Sequence, residues 1–332
     1  MNTYDYSLPT LAPYINWAYF LTAWGLPARM ASAAYAHDCP ACRATWLAQW
    51  PAAEHGKAEE VLRLLADARQ LLEELSTKYQ THARLGIFPA YSEGDNIIIR
   101  SERGDCRLPL LRQQRAERTA GGEMVPLLCL ADFIAPRHLS EQVVFRLPLP
   151  CRPDDADYAL TCASALGIFA ATVDAGIMEY AADDAYRQLL AQTLGERLAE
   201  ATAERLHEDV RRRIWGFAPE EQLTPAQLFA ENYHGRRPAV GYPSLPDLSL
   251  NFLLDELIDF SAIGIHLTES GMMQPLASVS GLILAHPATR HFAVGPIGED
   301  QLKDYALRRG MPVERLRRFL KNAVGTDGRC AT

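Results

Sequence analysis

The sequence lacks a surplus of basic residues, a regular cysteine framework and a basic amino-terminal leader. Its formal net charge is -8 at pH 7, which argues against a nucleic-acid partner or an anionic membrane surface, because both require a basic face. Its 7 cysteines show no framework spacing, so they indicate a reducing, cytoplasmic compartment. The opening stretch MNTYDYSLPT contains no lysine or arginine and does not resemble a signal peptide.

Long uninterrupted apolar runs and the common catalytic signatures are also missing. The apolar stretch at residues 11–28 is broken by Pro13, Asn16, Gly25 and Pro27, so it predicts a buried segment rather than a membrane span. The chain contains no G-x-x-x-x-G-K-[ST], G-x-G-x-x-G, H-E-x-x-H or G-x-S-x-G motif. These absences remove the usual sequence support for phosphate, dinucleotide, zinc-protease and serine-hydrolase sites.

One short stretch offers metal ligands. His37, Cys39 and Cys42 place three soft ligands close together, and a tetrahedral zinc site needs a fourth, for which His55 is a candidate. No second C-x-x-C is present. Two small, partly buried thiols at the start of a helix explain the same residues, and we predict no metal ion for this chain.

The periodicity of apolar residues predicts helices together with hairpin-like pairs of strands. Stripes with spacings of three and four predict long helices over residues 59–79 and about 183–213. Because the strands come in adjacent pairs and do not alternate with helices, the pattern favours an α+β fold with antiparallel sheet over a doubly wound fold. Runs of strand length occupy residues 85–90, 96–101, 106–111, 126–133, 157–167, 277–286 and 290–297.

Two further stretches are polar or rich in turn residues. Residues 236–247 contain three prolines and one glycine between two helical patterns, which fits either a stiff connection or the wall of a ligand site. We refer to them as the proline-rich stretch. Residues 204–213 are dense in charge, and we interpret them as the solvated face of a helix.

Several segments, in order along the chain, resemble the activation domain of cobalamin-dependent methionine synthase. The resemblance implies one domain over residues 1–332, a C-shaped α+β domain with a bent antiparallel sheet flanked by helices. It also implies a shallow groove for S-adenosylmethionine and a role in restoring methylcobalamin after cob(I)alamin is oxidised to cob(II)alamin. Segments that carry it include YINWAYFLTAW at residues 14–24, GIFPAYSEGDNIII at 86–99, ENYHGRRPAVGYPSLPD at 231–247 and LTESGMMQPLASVSGLILAHP at 267–287.

The resemblance further implies which residues contact the ligand. Arg237 would hold the ligand carboxylate with a two-pronged hydrogen bond, Gly241 would allow close backbone approach, and Tyr242 would supply an aromatic wall. Transfer of a sulfonium methyl group to cob(I)alamin is a direct displacement, so we predict no catalytic acid or base in this chain. The residues assigned to the S-adenosylmethionine site are Asn16, Glu200, Glu231, Arg237, Pro238, Ala239, Gly241 and Tyr242.

Departures from the family pattern leave several hypotheses of function open. Asn16 stands where an aspartate is usual, Leu248 where a histidine is common, and Gln274 and Leu276 where a tryptophan and a glycine are usual. The leading hypothesis is a methyltransferase component without complete activity of its own, a reactivation subunit acting in trans on a methionine synthase that lacks this domain. The partner's cobalamin-binding module would carry the cobalamin, and a flavodoxin-like or other reductant would supply the electron.

Two alternatives come from other classes of protein. The chain could be a module that has lost the ligand and only docks on or caps a corrinoid protein. It could instead activate a different corrinoid methyltransferase. The sequence is compatible both with a naturally separate subunit and with a segment of a longer chain.

Overall fold

The computed structural model describes residues 1–36, 39–115, 124, 126–143, 146–148 and 157–320, and its strands pair in antiparallel fashion. Among these residues, one sheet has the order β4-β3-β2-β5-β8 with β1 also paired to β2, and β6 pairs with β7 separately. The strands are β1 (Asn2–Ser7), β2 (Gln80–Glu93), β3 (Asn96–Ser101), β4 (Gly104–Pro109), β5 (Ala165–Val173), β6 (His266–Leu267), β7 (Met273–Gln274) and β8 (Ser278–Ile283).

The long strand β2 joins two parts of the sheet. Residues 81–85 lie between β1 and β5, whereas residues 90–93 pair with β3. The turn into β3 passes through Gly94, whose φ of +56° is in the left-handed region that glycine adopts without strain. This change of partners along one strand is what a bent sheet requires. The prediction of an α+β fold with antiparallel sheet is confirmed.

Helices cover both faces of the sheet. Side chains of β5 alternate between two cores, with Phe169 and Ala171 in one and Leu166 and Ile168 in the other. The first core contains the long helices α4 and α7, and the second contains α9. The helices are α1 (Leu8–Leu11), α2 (Trp17–Ala23), α3 (Pro40–Leu47), α4 (His55–Ser76), α5 (Arg137–Ser140), α6 (Tyr158–Ala163), α7 (Ala185–Asp209), α8 (Pro225–Phe229), α9 (Leu250–Ile258), α10 (Glu299–Arg309) and α11 (Val313–Phe319).

The apolar stretch at residues 11–28 folds inside the protein, as its interruptions predict. It contains the short helix α2, and Phe20 and Leu21 are fully buried in the first core. In the part of the chain that the structure describes, no helix is both long enough and apolar enough to cross a bilayer.

Helix α7 is the longest helix of the described residues and forms one side of the groove described below. Asp184 caps its start, because its side chain accepts hydrogen bonds from two backbone N–H groups of the first turn. The helix continues into a π-helical turn, Val210–Ile214. The interpretation of residues 204–213 as a solvated face is wrong, since His207 and Arg211 are fully buried.

Three of the strand predictions are wrong or misplaced. Residues 126–133 do not form a strand, because the Asp132 carboxylate accepts from Cys129 N at 2.8 Å and stabilises a 3₁₀ turn, Leu130–Phe133. Residues 158–163 form α6, so the strand begins later than predicted. Residues 290–297 are irregular, and no sheet strand pairs with them among the described residues.

Candidate functional site

A groove of about 670 Å³ lies between α7, the start of α2 and the chain from residue 228 to 244. Its volume is in the range of sites for small ligands. It is lined by seven of the eight residues that the sequence assigned to S-adenosylmethionine, and Gly241 is the exception. The structure thus brings together residues 16, 200, 231, 237–239 and 242, which are far apart in sequence. That they bind this ligand stays a prediction.

The proline-rich stretch is held against β8 by backbone hydrogen bonds. Arg236 exchanges two such bonds of 2.9 Å with Leu284, and Leu282 N donates to Pro238 O at 3.0 Å. A side chain is excluded at Gly281, because a Cβ atom there would lie 2.3 Å from Pro238 O. The stretch is therefore both a fixed segment and a wall of the groove.

One face of α7 supplies three charged groups to the groove. Arg197, Glu200 and Glu204 are three and four residues apart, so they share a face of the helix. The Tyr242 hydroxyl donates to Glu200 Oε1 at 2.9 Å. Burial, together with the Glu200 charge, raises the pKa of Tyr242 to about 12. This hydrogen bond ties the proline-rich stretch to α7 across the groove.

Arg237 is largely buried and lies between two carboxylates. Its Nη2 donates to Glu204 Oε2 at 3.3 Å, and its Nη1 lies 3.8 Å from Glu200 Oε2. Burial would lower the pKa of Arg237, but the two carboxylates outweigh burial and raise it. A guanidinium has five N–H donors, and the described residues provide one side-chain hydrogen bond to this one. Donors therefore remain for a ligand carboxylate.

Glu204 is a residue of the groove that the sequence analysis missed. Burial raises the pKa of its carboxyl group, against the opposing effect of Arg237 and Arg211. Its Oε1 has no hydrogen-bond partner among the described residues and lies 3.9 Å from Arg211 Nη1. The signal was present in the sequence, because Glu204 follows Glu200 by one helical turn.

Glu231 faces the groove from a strained backbone position. Its φ of +55° is in the left-handed region, which is uncommon for a residue with a side chain. The carboxylate lies 3.2 Å from His291 Nε2 and 3.5 Å from Arg236 Nε. The hydrogen bond with His291 lowers the pKa of Glu231 despite partial burial. Glu231 is therefore a carboxylate, not a carboxylic acid, at neutral pH.

Asn16 lines the groove and has a structural task as well. It caps α2, since its Oδ1 accepts from Ala18 N at 3.1 Å and from Tyr19 N at 3.4 Å. Asparagine and aspartate are about equally good caps. The family's usual aspartate would therefore fit the same place and add a negative charge to the groove.

Gly241 acts on the site through its backbone conformation. Its φ of +91° excludes most other residues, and its N–H donates to Leu245 O at 2.8 Å. This bond closes the turn that presents Tyr242. A Cβ atom at this position would lie 3.1 Å from Leu248 Cδ2 and not in the groove. Gly241 is not among the residues that line the groove, and its close approach to the ligand stays a prediction.

The residues considered for a metal site are engaged in local contacts or lie outside the described part. Cys39 Sγ caps α3 by accepting from Cys42 N at 3.3 Å, and His55 Nε2 lies 2.9 Å from Trp50 O. His37 lies outside the described residues. Within them, no three His, Cys, Asp or Glu side chains are placed to hold a metal ion.

The fold and the site define an α+β domain with a groove lined by side chains of opposite charge. The chain matches the family model for the activation domain of vitamin B12 dependent methionine synthase over residues 7–310, and it belongs to that family. It is similar to a solved structure described as the MetH reactivation domain bound to AdoHcy, with 33% sequence identity and a TM-score of 0.76. That similarity covers 98% of this chain and 90% of the other. The resemblance drawn from the sequence is confirmed.

Proposed function

We propose that the groove binds S-adenosylmethionine and that the domain serves the reductive methylation of cobalamin. In this reaction one electron reduces cob(II)alamin to cob(I)alamin, which then displaces the sulfonium methyl group and gives methylcobalamin and S-adenosylhomocysteine. The observation that carries the proposal is the meeting of opposite charges in one groove, where Arg237 Nη1 lies 3.8 Å from Glu200 and Glu231 shares the lining. S-Adenosylmethionine has the complementary set, one carboxylate and two cationic groups.

Each group of the groove has a task that follows from its chemistry. Arg237 pairs with the ligand carboxylate through its remaining N–H donors. Glu200 and Glu231 face the ammonium and sulfonium groups. Pro238 and Tyr242 form a stiff wall, so little conformational entropy is lost when the ligand binds. Since the nucleophile is the partner's cobalt, the chain contributes alignment of the methyl group and no proton transfer.

The similar solved structure supports the class of ligand. It is described as bound to AdoHcy, which is the product that remains when S-adenosylmethionine has given up its methyl group. The two molecules share the adenosine and the amino-acid end, so one groove can hold both. The difference between them is the methyl group and the positive charge on sulfur.

We propose the partners from the family to which the chain belongs. The cobalamin is carried by the cobalamin-binding module of a methionine synthase, and a flavodoxin-like or other reductant supplies the electron in the cytoplasm. In this proposal the chain is a separate subunit, a methyltransferase component that acts on that module in trans.

Titration calorimetry with S-adenosylmethionine and S-adenosylhomocysteine tests the binding step. Saturable binding of both at a ratio of one to one is expected. A chain that binds neither ligand would leave only the function of docking on or capping a corrinoid protein.

Absorption spectroscopy tests the methylation step. The chain is added to a methionine synthase fragment that ends after its cobalamin module, held in the cob(II)alamin form with a reductant and S-adenosylmethionine. The spectrum of methylcobalamin should appear only when the chain is present. Methylation of another corrinoid protein but not of this fragment would assign the chain to a different corrinoid methyltransferase.

A further inference from the structure

Four buried residues of alternating charge lead from the groove into the protein. Arg237 contacts Glu204 at 3.3 Å, and Glu204 Oε1 lies 3.9 Å from Arg211 Nη1. Arg211 then holds Glu221 with a two-pronged contact, Nε at 2.9 Å from Oε2 and Nη2 at 2.7 Å from Oε1. We call Arg237, Glu204, Arg211 and Glu221 the charge row.

The charge row is shielded from solvent along its length. The Arg211 side chain is fully buried, and those of Glu204 and Glu221 are 13% and 9% exposed. The Arg211 guanidinium carbon lies 4.0 Å from the ring centre of Tyr233, which lines the groove. Apolar side chains of similar volume often stabilise a fold as well as a buried set of ion pairs does. Stability alone is therefore a weak reason for the charge row.

The backbone is arranged to bring Arg211 into the charge row. Arg211 lies in the π-helical turn Val210–Ile214 that follows α7, and turns of this kind are frequent at functional sites. The chain that leaves the helix is fastened at the same residue, because Ala218 N donates to Arg211 O at 2.8 Å. This return of the chain places Glu221 against the Arg211 guanidinium.

We infer that Glu204, Arg211 and Glu221 are positioning residues that fix the Arg237 guanidinium for the carboxylate of the ligand. Glu204 accepts a hydrogen bond from one edge of that guanidinium. The charge of Arg211, which Glu221 orients, attracts Glu204 from the other side across 3.9 Å. Arg211 and Glu221 are not part of the lining of the groove, so they act on the ligand through groups that are: Glu204 and Arg237, and the Tyr233 ring against which Arg211 packs. The inference rests on the proposed function and extends it to residues that do not touch the ligand.

The test uses Glu221→Gln in the full chain, with two neutral thioethers as ligands. S-Adenosylhomocysteine carries the carboxylate, and 5′-methylthioadenosine lacks the whole amino-acid end. The substitution should weaken binding of S-adenosylhomocysteine about three- to tenfold, as expected for coupled neighbours. Binding of 5′-methylthioadenosine should not change. Glu220→Gln, at the exposed neighbouring position, is the matched control and should leave both affinities unchanged.

A cycle with Arg237→Ala separates positioning from a general effect on the fold. In the Arg237→Ala background, Glu221→Gln should cause no further loss of affinity for S-adenosylhomocysteine. An equal loss for both ligands, no loss for either, or an additional loss in that background would overturn the inference. If Glu221→Gln does not fold, the double variant Arg211→Met/Glu221→Gln removes both charges and is judged by the same results.

Failure of the proposed function gives a different result. A wild-type chain that binds neither S-adenosylhomocysteine nor S-adenosylmethionine would overturn the proposed function, and this inference with it. If the wild-type chain binds both ligands, but Glu221→Gln does not affect S-adenosylhomocysteine more than 5′-methylthioadenosine, only the inference is overturned and the proposed function stands.

Discussion

Arg237→Ala removes the guanidinium that the proposed site offers to the ligand carboxylate. A hydrogen bond to a charged group contributes about 1.5–3 kcal/mol, so S-adenosylmethionine should bind roughly ten- to a hundredfold more weakly. Calorimetry measures the change. The substitution also lowers the stability of the fold, because it removes the guanidinium that lies 3.3 Å from the Glu204 carboxylate.

The loss of stability in this variant should depend on pH. Removing one member of a buried pair costs about 3–5 kcal/mol, and Arg211, 3.9 Å from Glu204, offsets part of it. Burial already raises the pKa of Glu204, and loss of Arg237 raises it further. A carboxyl group whose pKa is higher in the folded than in the unfolded state contributes most to stability below its unfolded pKa. This contribution to stability is lost as the pH rises through its folded pKa. The stability that Arg237→Ala loses relative to the wild type should therefore be larger at pH 8 than at pH 5 in denaturant unfolding.

A double variant separates the two effects. Arg237→Ala/Glu204→Gln leaves no unpaired buried carboxylate, so its stability should recover while its affinity stays low. Arg236 is unsuitable as a control, since its Nε contacts Glu231 at 3.5 Å. Arg137→Ala is suitable, because that arginine is exposed and lies outside the groove lining. A folded double variant with wild-type affinity would show that Arg237 does not hold the ligand carboxylate.

Three further substitutions test the walls of the groove. Asn16→Asp keeps the cap of α2 and adds a negative charge, so calorimetry at low salt should show tighter binding of S-adenosylmethionine; no change would place the ligand's cations elsewhere. Glu200→Gln should weaken binding about three- to tenfold, with a smaller effect at high salt, whereas Glu220→Gln, exposed and outside the groove lining, should have none. Gly281→Ala forces Pro238 O away. It should lower the free energy of unfolding in denaturant by about 1–3 kcal/mol and weaken ligand binding as well. Unchanged stability would mean that the backbone at Pro238 moves without cost.

The elements that sequence reasoning predicted well are those whose pattern is local. The apolar stripes of α4 and α7 and the hairpin of β2 and β3 lie close to their expected places. Runs of apolar residues without a clear period were less informative. A run such as residues 126–133 fits a strand equally well until Asp132 turns back to bond Cys129 N, and that hydrogen bond decides the conformation.

The site was predicted through resemblance, and the parts that were missed depend on contacts between distant segments. Arg237 and Tyr242 are recognisable from the proline-rich stretch, but Glu204 was read as part of a solvated helix face. The chain that follows α7 folds back over these charges and brings Glu221 to Arg211. The spacing of residues within 204–213 does not reveal that the following chain folds back over them. The spacing places Glu204 one helical turn after Glu200, but its burial is a property of the topology and has no sign in the sequence pattern.

The charges of the groove also predict a preference between substrate and product. Among the carboxyl and guanidinium side chains of its lining, Glu200, Glu204 and Glu231 outnumber Arg197 and Arg237 by one. S-Adenosylmethionine carries one net positive charge and S-adenosylhomocysteine none. The charge on sulfur should then contribute about 1 kcal/mol, close to fivefold tighter binding of the substrate at low salt.

The dependence on salt distinguishes a preference set by charge from a preference set by the shape of the groove. At 1 M salt the screening length falls to about 3 Å, so the ratio of the two dissociation constants should approach one. Calorimetry of both ligands at low and high salt measures that ratio. A ratio that does not change with salt would mean that fit to the methyl group sets the preference, and that the carboxylates of the groove serve only to orient the ligand.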